Sequence, residues 1–342
     1  MSRSRQQSTG SLLAGDIGGT KTNLALFSIG SVARSGQQAR TFQNDGYADF
    51  DAVLEAYLGD SEASVAALCI GVAGPVHQGR VELTNINWQL DTAKLCERFG
   101  FSRAWLLNDL EATAQAVPLM RPEELHTLHT GKPEAGGNIA VIAPGTGLGE
   151  GYLTWNGDEP QAHATEGGHT DFAPRNDLQD ELLVYLRKQF GHVSYERVCA
   201  GIGLPNIYRF LRERNGGEEP DWLAKALAED EDPTPEIVKA ALDANAPVAQ
   251  AAQALEIFVE VLAAEAGNLA LKVGATGGIY LGGGIPPRIL PLLDQGRFME
   301  VFLDKGRQRD YLERMPVHVL LNDEAALLGA ADFGLRAMRS HS

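Results

Sequence analysis

The chain has 342 residues, 44% of them hydrophobic, which suits two domains with real cores and excludes wholesale disorder. Lys and Arg number 29 against 45 Asp and Glu, a formal charge of −16 that excludes a general nucleic-acid or anionic-membrane binder. An anionic substrate would need local donors and a divalent metal to offset that field.

Residues 1–11 are polar, lack the apolar core of a signal peptide, and read as a disordered tail. "LLAGD" and "NLALFS" read as strands around a Gly-Gly turn. "YADFDAVLEAYLGD" places Phe50, Val53, Leu54 and Tyr57 on one helical face. "VAALCIGVAGPV" is a buried strand ending in a Gly-Pro turn, and "AWLLND" is a strand feeding the helix "LEATAQAVPLM". The polar stretch "RPEELHTLHTGKPEAGGN" reads as a hinge or domain boundary. "IAVIAPGTGLGEGYLTW" repeats the strand, glycine turn, strand layout of the N-terminus, an echo that points to two related halves. Residues 178–214 are helix-rich, and "RNGGEEPDWL" and "EDEDPTPE" read as solvated acidic loops. A long helix follows, with Leu255, Phe258, Val259, Leu262 and Leu269 on its apolar face. "GGIYLGGGIPPRIL" reads as strand, turn and helix start, and the chain closes with a strand and a final helix. Cys69, Cys96 and Cys199 are scattered and odd in number, as expected of free thiols in a reducing cytoplasm. No apolar run has membrane-spanning length.

The text "GGTKT" is not a P-loop. Thr20 separates Gly19 from Lys21, and the residues after it favour a strand where a P-loop requires a helix. Gly145, Gly147 and Gly149 likewise miss the dinucleotide-binding spacing. A glycine hairpin can still cradle phosphate, because successive backbone N–H groups without Cβ atoms form an anion nest. Gly18, Gly19, Gly145 and Gly147 supply such turns, Thr20 and Thr146 add hydroxyls, and Lys21 adds a charge directed at either phosphate or solvent. Asp16, at the end of the first strand, is placed to hold the hydration shell of Mg²⁺, which keeps several waters and meets proteins through one or two carboxylates.

Taken in order, "GDIGGTKTNLAL", "GVAGPV", "LTNINW", "LLNDLEATAQAVP", "APGTGLGEG", "EGGHTDFAP", "GHVSYERVCAG", "IYLGGGIPPR" and "DKGR" resemble the bacterial ATP-dependent glucokinase family of the actin-like ATPase superfamily, across residues 13–329. The resemblance implies an α/β fold of two ribonuclease-H-like domains closing over glucose in a cleft. It implies a small domain of 12–119 plus 318–342 and a large one of 120–317. Asp109 falls on the family's catalytic base, and Asn108, Glu166, His169 and Glu196 on its sugar ligands, with Asp109 also contacting the sugar. The two glycine hairpins fall on its phosphate loops, and Gly282, Gly283 and Gly284 on its adenosine loop. The implied reaction is phosphoryl transfer from Mg·ATP to the 6-hydroxyl of D-glucose, giving glucose 6-phosphate and ADP, in a cytoplasmic enzyme of a family in which homodimers are common. Simpler readings stand beside these roles: Asp109 as a helix N-cap, His169 as a loop histidine, Glu196 as a first-turn helix residue. A kinase of another hexose and a sugar sensor without turnover are the alternatives. The absence of clustered cysteines disfavours the zinc-bearing sugar-kinase and repressor group of the same superfamily.

Overall fold

The computed structural model describes residues 10–339 apart from 62, 84, 217, 218, 230 and 231. Most of the expected tail, and parts of both acidic loops, therefore lie outside the described residues. Ser11 does not belong to a tail: it opens the first strand and pairs with Ser28.

Strands β1 (Ser11–Ile17) and β2 (Lys21–Ser28) form the expected antiparallel hairpin, with Leu13 opposite Leu26 and Asp16 opposite Asn23. β3 (Gln37–Gln43) extends it. Helix α1 (Phe50–Gly59) is capped by Asp49, which accepts the Ala52 N–H at 2.8 Å, and it buries Phe50, Val53, Leu54 and Tyr57 as their spacing predicts. β4 (Val65–Val72) lies parallel to β1. β5 (Arg80–Leu83) and β6 (Trp88–Asp91) pair as a separate ribbon, followed by α2 (Thr92–Phe99). β7 (Arg103–Asn108) lies parallel to β4 and runs directly into α3 (Asp109–Ala116). The resulting sheet has the order β3-β2-β1-β4-β7. Its strands alternate between two cores. Leu13, Ile17 and Leu24 face one, and Leu12, Ala14 and Phe27 face the other. A sheet buried on both faces explains why these strands read as nearly continuous apolar runs.

The chain continues through β8 (Leu125–His129), β9 (Ile139–Pro144), β10 (Leu148–Asn156) and β11 (Glu159–Thr165). Helices α4 (Asp177–Phe190), α5 (Gly203–Asn215), α6 (Asp221–Glu229), α7 (Thr234–Leu242) and α8 (Ala249–Val273) follow. Then come β12 (Gly278–Leu281), α9 (Leu290–Leu293), α10 (Arg297–Leu303), α11 (Arg309–Leu312), β13 (Val317–Leu320) and α12 (Ala325–Arg339). Here β9 and β10 are an antiparallel hairpin, β12 is parallel to β9, and β13 is parallel to β12. The run β2-β1-β4-β7 is thus repeated as β10-β9-β12-β13, which gives the echo of the two glycine hairpins an architectural basis.

By internal contacts the chain divides into two compact units. The first extends to Met120 and includes Pro160–Ala164 and the segment from Asn322. The second holds Arg121–Glu159 and Thr165–Leu321. Two expectations are corrected. The return to the first unit falls after Leu321 and not at 318, because Val317–Leu320 is a strand held on both sides, by β12 and by β8. The stretch read as a hinge or domain boundary does start where the first unit gives way to the second, at Arg121, but it is not a loop throughout: it contains β8, which pairs antiparallel with β13. Its sequence, Leu-His-Thr-Leu-His, suits a half-buried strand and carries too little apolar signal to be read as one. The helix start expected after Ile285 is a 3₁₀ turn, Pro286–Ile289, before α9 begins.

Candidate active site

In each unit the expected residues gather at the carboxyl ends of parallel strands, the usual place for a ligand in an α/β sheet. In the first unit the Gly18-Gly19-Thr20 turn is closed by the Gly18 N–H donating to the Lys21 carbonyl at 2.9 Å. Asn44, which sequence reasoning missed, clamps this turn. Its Nδ2 donates to the Gly18 carbonyl at 2.9 Å, its backbone N–H donates to the Thr20 carbonyl at 2.9 Å, and its Oδ1 accepts from the buried Thr22 hydroxyl at 2.8 Å. No atom lies within 4 Å of where a Cβ on Gly19 would sit, which leaves the backbone there open to a ligand oxygen.

Asp16 stands half-buried below the turn. Burial, reinforced by the negative charge of Asp109, pushes its carboxyl up to about 7, and Lys21 opposes the rise. Lys21 is exposed, yet its charge reaches Asp16. Asp109 is not the cap of α3. That role belongs to Asn108, whose Oδ1 accepts the Leu110 N–H at 2.9 Å while its Nδ2 donates to the Gly74 carbonyl at 3.1 Å. Each end of the Asn108 amide keeps bonding capacity for a further partner. Asp109 is the first helical residue. Its Oδ1 shares the Leu110 N–H at 2.9 Å, and its carboxylate sits at the positive end of the helix, which favours the ionised form.

The second unit brings together Glu166, His169 and Glu196. The ring of His169 lies between the two carboxylates, 3.8 Å from Glu166 and 3.9 Å from Glu196. Glu196 also accepts the Leu148 N–H at 3.0 Å, at the foot of the turn Gly145-Thr146-Gly147. That turn is closed by the Gly145 N–H donating to the Gly147 carbonyl at 2.8 Å and braced by the Gly201 N–H donating to the Gly145 carbonyl at 2.7 Å. Gly282, Gly283 and Gly284 lie against the same strand end. The Gly282 N–H donates to Ile142 and the Ile285 N–H to Pro144. Beside this loop opens a cavity of about 310 Å³, lined mainly by Pro235, Val238, Leu242 and Ile285, with Lys239 and Arg288 at its polar side. An apolar hollow edged by cations, next to a phosphate-sized glycine turn, suits a nucleotide base. Of its lining, Ile285 and Arg288 lie in the string "IYLGGGIPPR", whereas Val238, Lys239 and Leu242 had not been singled out from sequence.

Next to Glu196 lies a second feature that sequence reasoning missed, a buried polar network. Glu265, fully buried, accepts from Asn268 at 2.7 Å and from Lys272 at 3.1 Å. Asn268 also donates to the Tyr195 hydroxyl at 3.1 Å and accepts from Lys305, within the "DKGR" string, at 2.5 Å. Burial together with the Glu265 charge pushes the Tyr195 hydroxyl well above its usual range, so it stays protonated. Tyr195 immediately precedes Glu196, so the network fixes the backbone that presents a candidate sugar ligand.

Known proteins resemble this chain over nearly its whole length. The Glucokinase family model matches residues 13–337. The glucokinase of Nostoc punctiforme is 39% identical over 338 residues, covering 94% of this chain and 97% of its own. Among solved structures, a glucokinase from an Antarctic psychrotroph superposes with a TM-score of 0.80 at 31% identity, covering 95% of this chain and 99% of its own. A ROK family glucokinase from Streptomyces griseus, solved with glucose and AMPPNP, shares the fold at a TM-score of 0.62 and 22% identity, covering 95% of this chain and 99% of its own.

Proposed function

The chain belongs to the Glucokinase family and is an ATP-dependent hexose kinase with the two-domain actin-like ATPase fold. On that premise we propose that it transfers the γ-phosphoryl group of Mg·ATP to the 6-hydroxyl of D-glucose. Asp109 is the base that takes the hydroxyl proton as the oxygen attacks, and Asn108 orients the same sugar. Glu166, His169 and Glu196 accept and donate hydrogen bonds to the other hydroxyls. A carboxylate pair bridged by an imidazole matches vicinal hydroxyls, each of which needs one fixed partner. The turns at Gly18-Gly19-Thr20-Lys21 and Gly145-Thr146-Gly147 hold the phosphates, and Gly282–Gly284 with the adjoining cavity holds the adenosine. Mg²⁺, held mainly by the phosphates and through water by Asp16, would neutralise charge on the transferring group. The half-buried Asp16 carboxyl fits that task, because a nearby cation would bring its raised pKa down and keep it ionised.

The observation that carries this reading is Glu196. One carboxylate side chain meets both His169 of the sugar set and the N–H at the foot of the phosphate turn, so acceptor and donor contacts share one rigid support. Positioning and electrostatics then supply most of the rate, with proton removal a smaller part.

An ADP-release assay across glucose, fructose, mannose and N-acetylated hexoses tests the substrate. Glucose should give the highest kcat/KM. Preference for another hexose redirects the assignment, and glucose binding without ADP release would identify a sensor. Asp109→Asn should bind glucose but lose about two to four orders of magnitude in kcat. Near-normal turnover in that variant would exclude Asp109 as base.

A further inference from the structure

We propose that Glu150 is a positioning residue for sugar recognition: its side chain carries the turn that presents Glu166 and His169. The inference rests on the sugar-ligand reading of those two residues given above.

Glu150 lies on β10 and is 1% exposed, among the most deeply buried acidic side chains of the chain. Its Oε1 is buried with no hydrogen-bond partner among the described residues. Its other oxygen fills the space where Gly167 lacks a side chain; a Cβ on Gly167 would overlap Glu150 Oε2. Gly167 does not adopt a left-handed conformation, so its own backbone would accept alanine, and the nearest obstacle is the Glu150 carboxyl. The contact is reinforced through the main chain. The Thr165 hydroxyl donates to the Glu150 carbonyl at 3.2 Å and accepts the Gly167 N–H at 3.1 Å. The turn Gly167–His169 is thus seated on Glu150 by carboxyl and backbone together.

A buried carboxylate without a partner is costly, and the charged groups around Glu150 do not relieve it. From α8, Glu265 repels it and Lys272 attracts it, but Lys272 is already bonded to Glu265. Beyond Tyr195, the Cys199 thiol is pushed up by its burial and, after that, by the charges of Glu150 and Glu265. On the turn itself, Glu166 adds a further acid and His169 an imidazole that is engaged with Glu166 and Glu196. Burial, with help from Glu265, raises the Glu150 carboxyl from 4.5 to about 7. Below that pH the group is neutral and packs quietly against Gly167. Above it, a negative charge appears beside the turn, and the turn must shift to let water reach it.

The consequence is a glucose KM that rises with pH through the neutral range while kcat is affected less. Glucose KM and kcat should be measured from pH 6 to 8.5 for the wild type and for Glu150→Gln, a neutral side chain of the same shape. Between those limits the wild-type KM should rise at least about threefold, and the variant should remain within about 1.5-fold of the wild-type value at pH 6, with kcat preserved. A variant that keeps the wild-type pH slope overturns the proposal. A double-mutant cycle tests the contact itself. Gly167→Ala should raise the glucose KM about fivefold or more, and adding Glu150→Ala should recover most of that loss. Strictly additive effects also overturn it. Glu166→Ala, measured beside these, separates the two readings. If it leaves glucose KM unchanged while residues 150 and 167 still couple in thermal melts, the sugar-ligand assignment fails and the seating of the turn stands.

Discussion

Asn44 shows how a single side chain can set the shape of a glycine turn. Its amide joins the Gly18 carbonyl to the Thr22 hydroxyl, and Thr22 is completely buried. Asn44→Ala removes both bonds and strands that hydroxyl away from water, which costs about 1–3 kcal/mol. The freed hairpin should bind ATP more weakly, while glucose affinity stays close to normal. Urea unfolding and the KM values for the two substrates check both halves of this expectation. Asp16 and Gly19 became candidates from sequence through a short string whose chemistry is local, and Asp109 and Glu196 through the family resemblance. Asn44 could not, since "FQNDG" reads as an ordinary turn and its partners are 22 and 26 residues away. Glu150 was hidden for a similar reason. It follows a glycine in an alternating strand, and the groups that surround it, Gly167 on its turn and Glu265 on α8, come later in the chain.

At the level of elements, the junction of β7 and α3 decides what Asp109 can do. With Asn108 serving as cap, the Asp109 carboxylate need not close the helix. The sequence located the strand-to-helix switch and offered Asp109 as its cap; the structure gives that role to Asn108, and the two residue types are nearly equivalent at that position. The placing of α3 depends in turn on α12. A Cβ on Gly329 would overlap the Ala112 carbonyl, so the two helices touch backbone to backbone. Across the same interface the Gln115 amide donates to Asp332 at 2.8 Å, and Arg336 donates to that carboxylate at 2.6 Å. Gly329→Ala should therefore push α3 away from α12, at a cost of about 1–3 kcal/mol. Because Asp109 begins α3, kcat should fall more than glucose affinity does. Calorimetric melting and steady-state kinetics on the one variant test this together. No signal for such a contact exists in the local sequence, where Gly329 looks like a helix-weakening residue with no compensation.

For the whole molecule, the balance of −16 sets a condition on catalysis. A strongly acidic chain handling a polyphosphate needs a cation to travel with it. Excess chelator should abolish ADP release, and titration with Mg²⁺ should restore it. Glucose binding measured by calorimetry should survive chelation, since the proposed sugar ligands are side chains that need no metal. Loss of glucose binding under chelator would show that the cation also organises the sugar site. At this scale the sequence was informative about architecture, because the two hairpins repeat their pattern in apolar runs and glycines. It was weaker at the edges of the second sheet, where β8 and β13 satisfy each other and neither carries a strong periodic pattern alone.

The packing of α12 also orders events during synthesis. This last helix covers the face of the first sheet formed by Leu12, Ala14 and Cys69, and it braces α3. Those strands leave the ribosome first, yet the apolar face they share stays bare until residues 325–339 have been translated. The two segments of the second unit, Arg121–Glu159 and Thr165–Leu321, emerge in between. The half of the protein that begins synthesis earliest is therefore the half that matures last, and its nascent sheet is the segment with the longest exposure to chaperones and to aggregation.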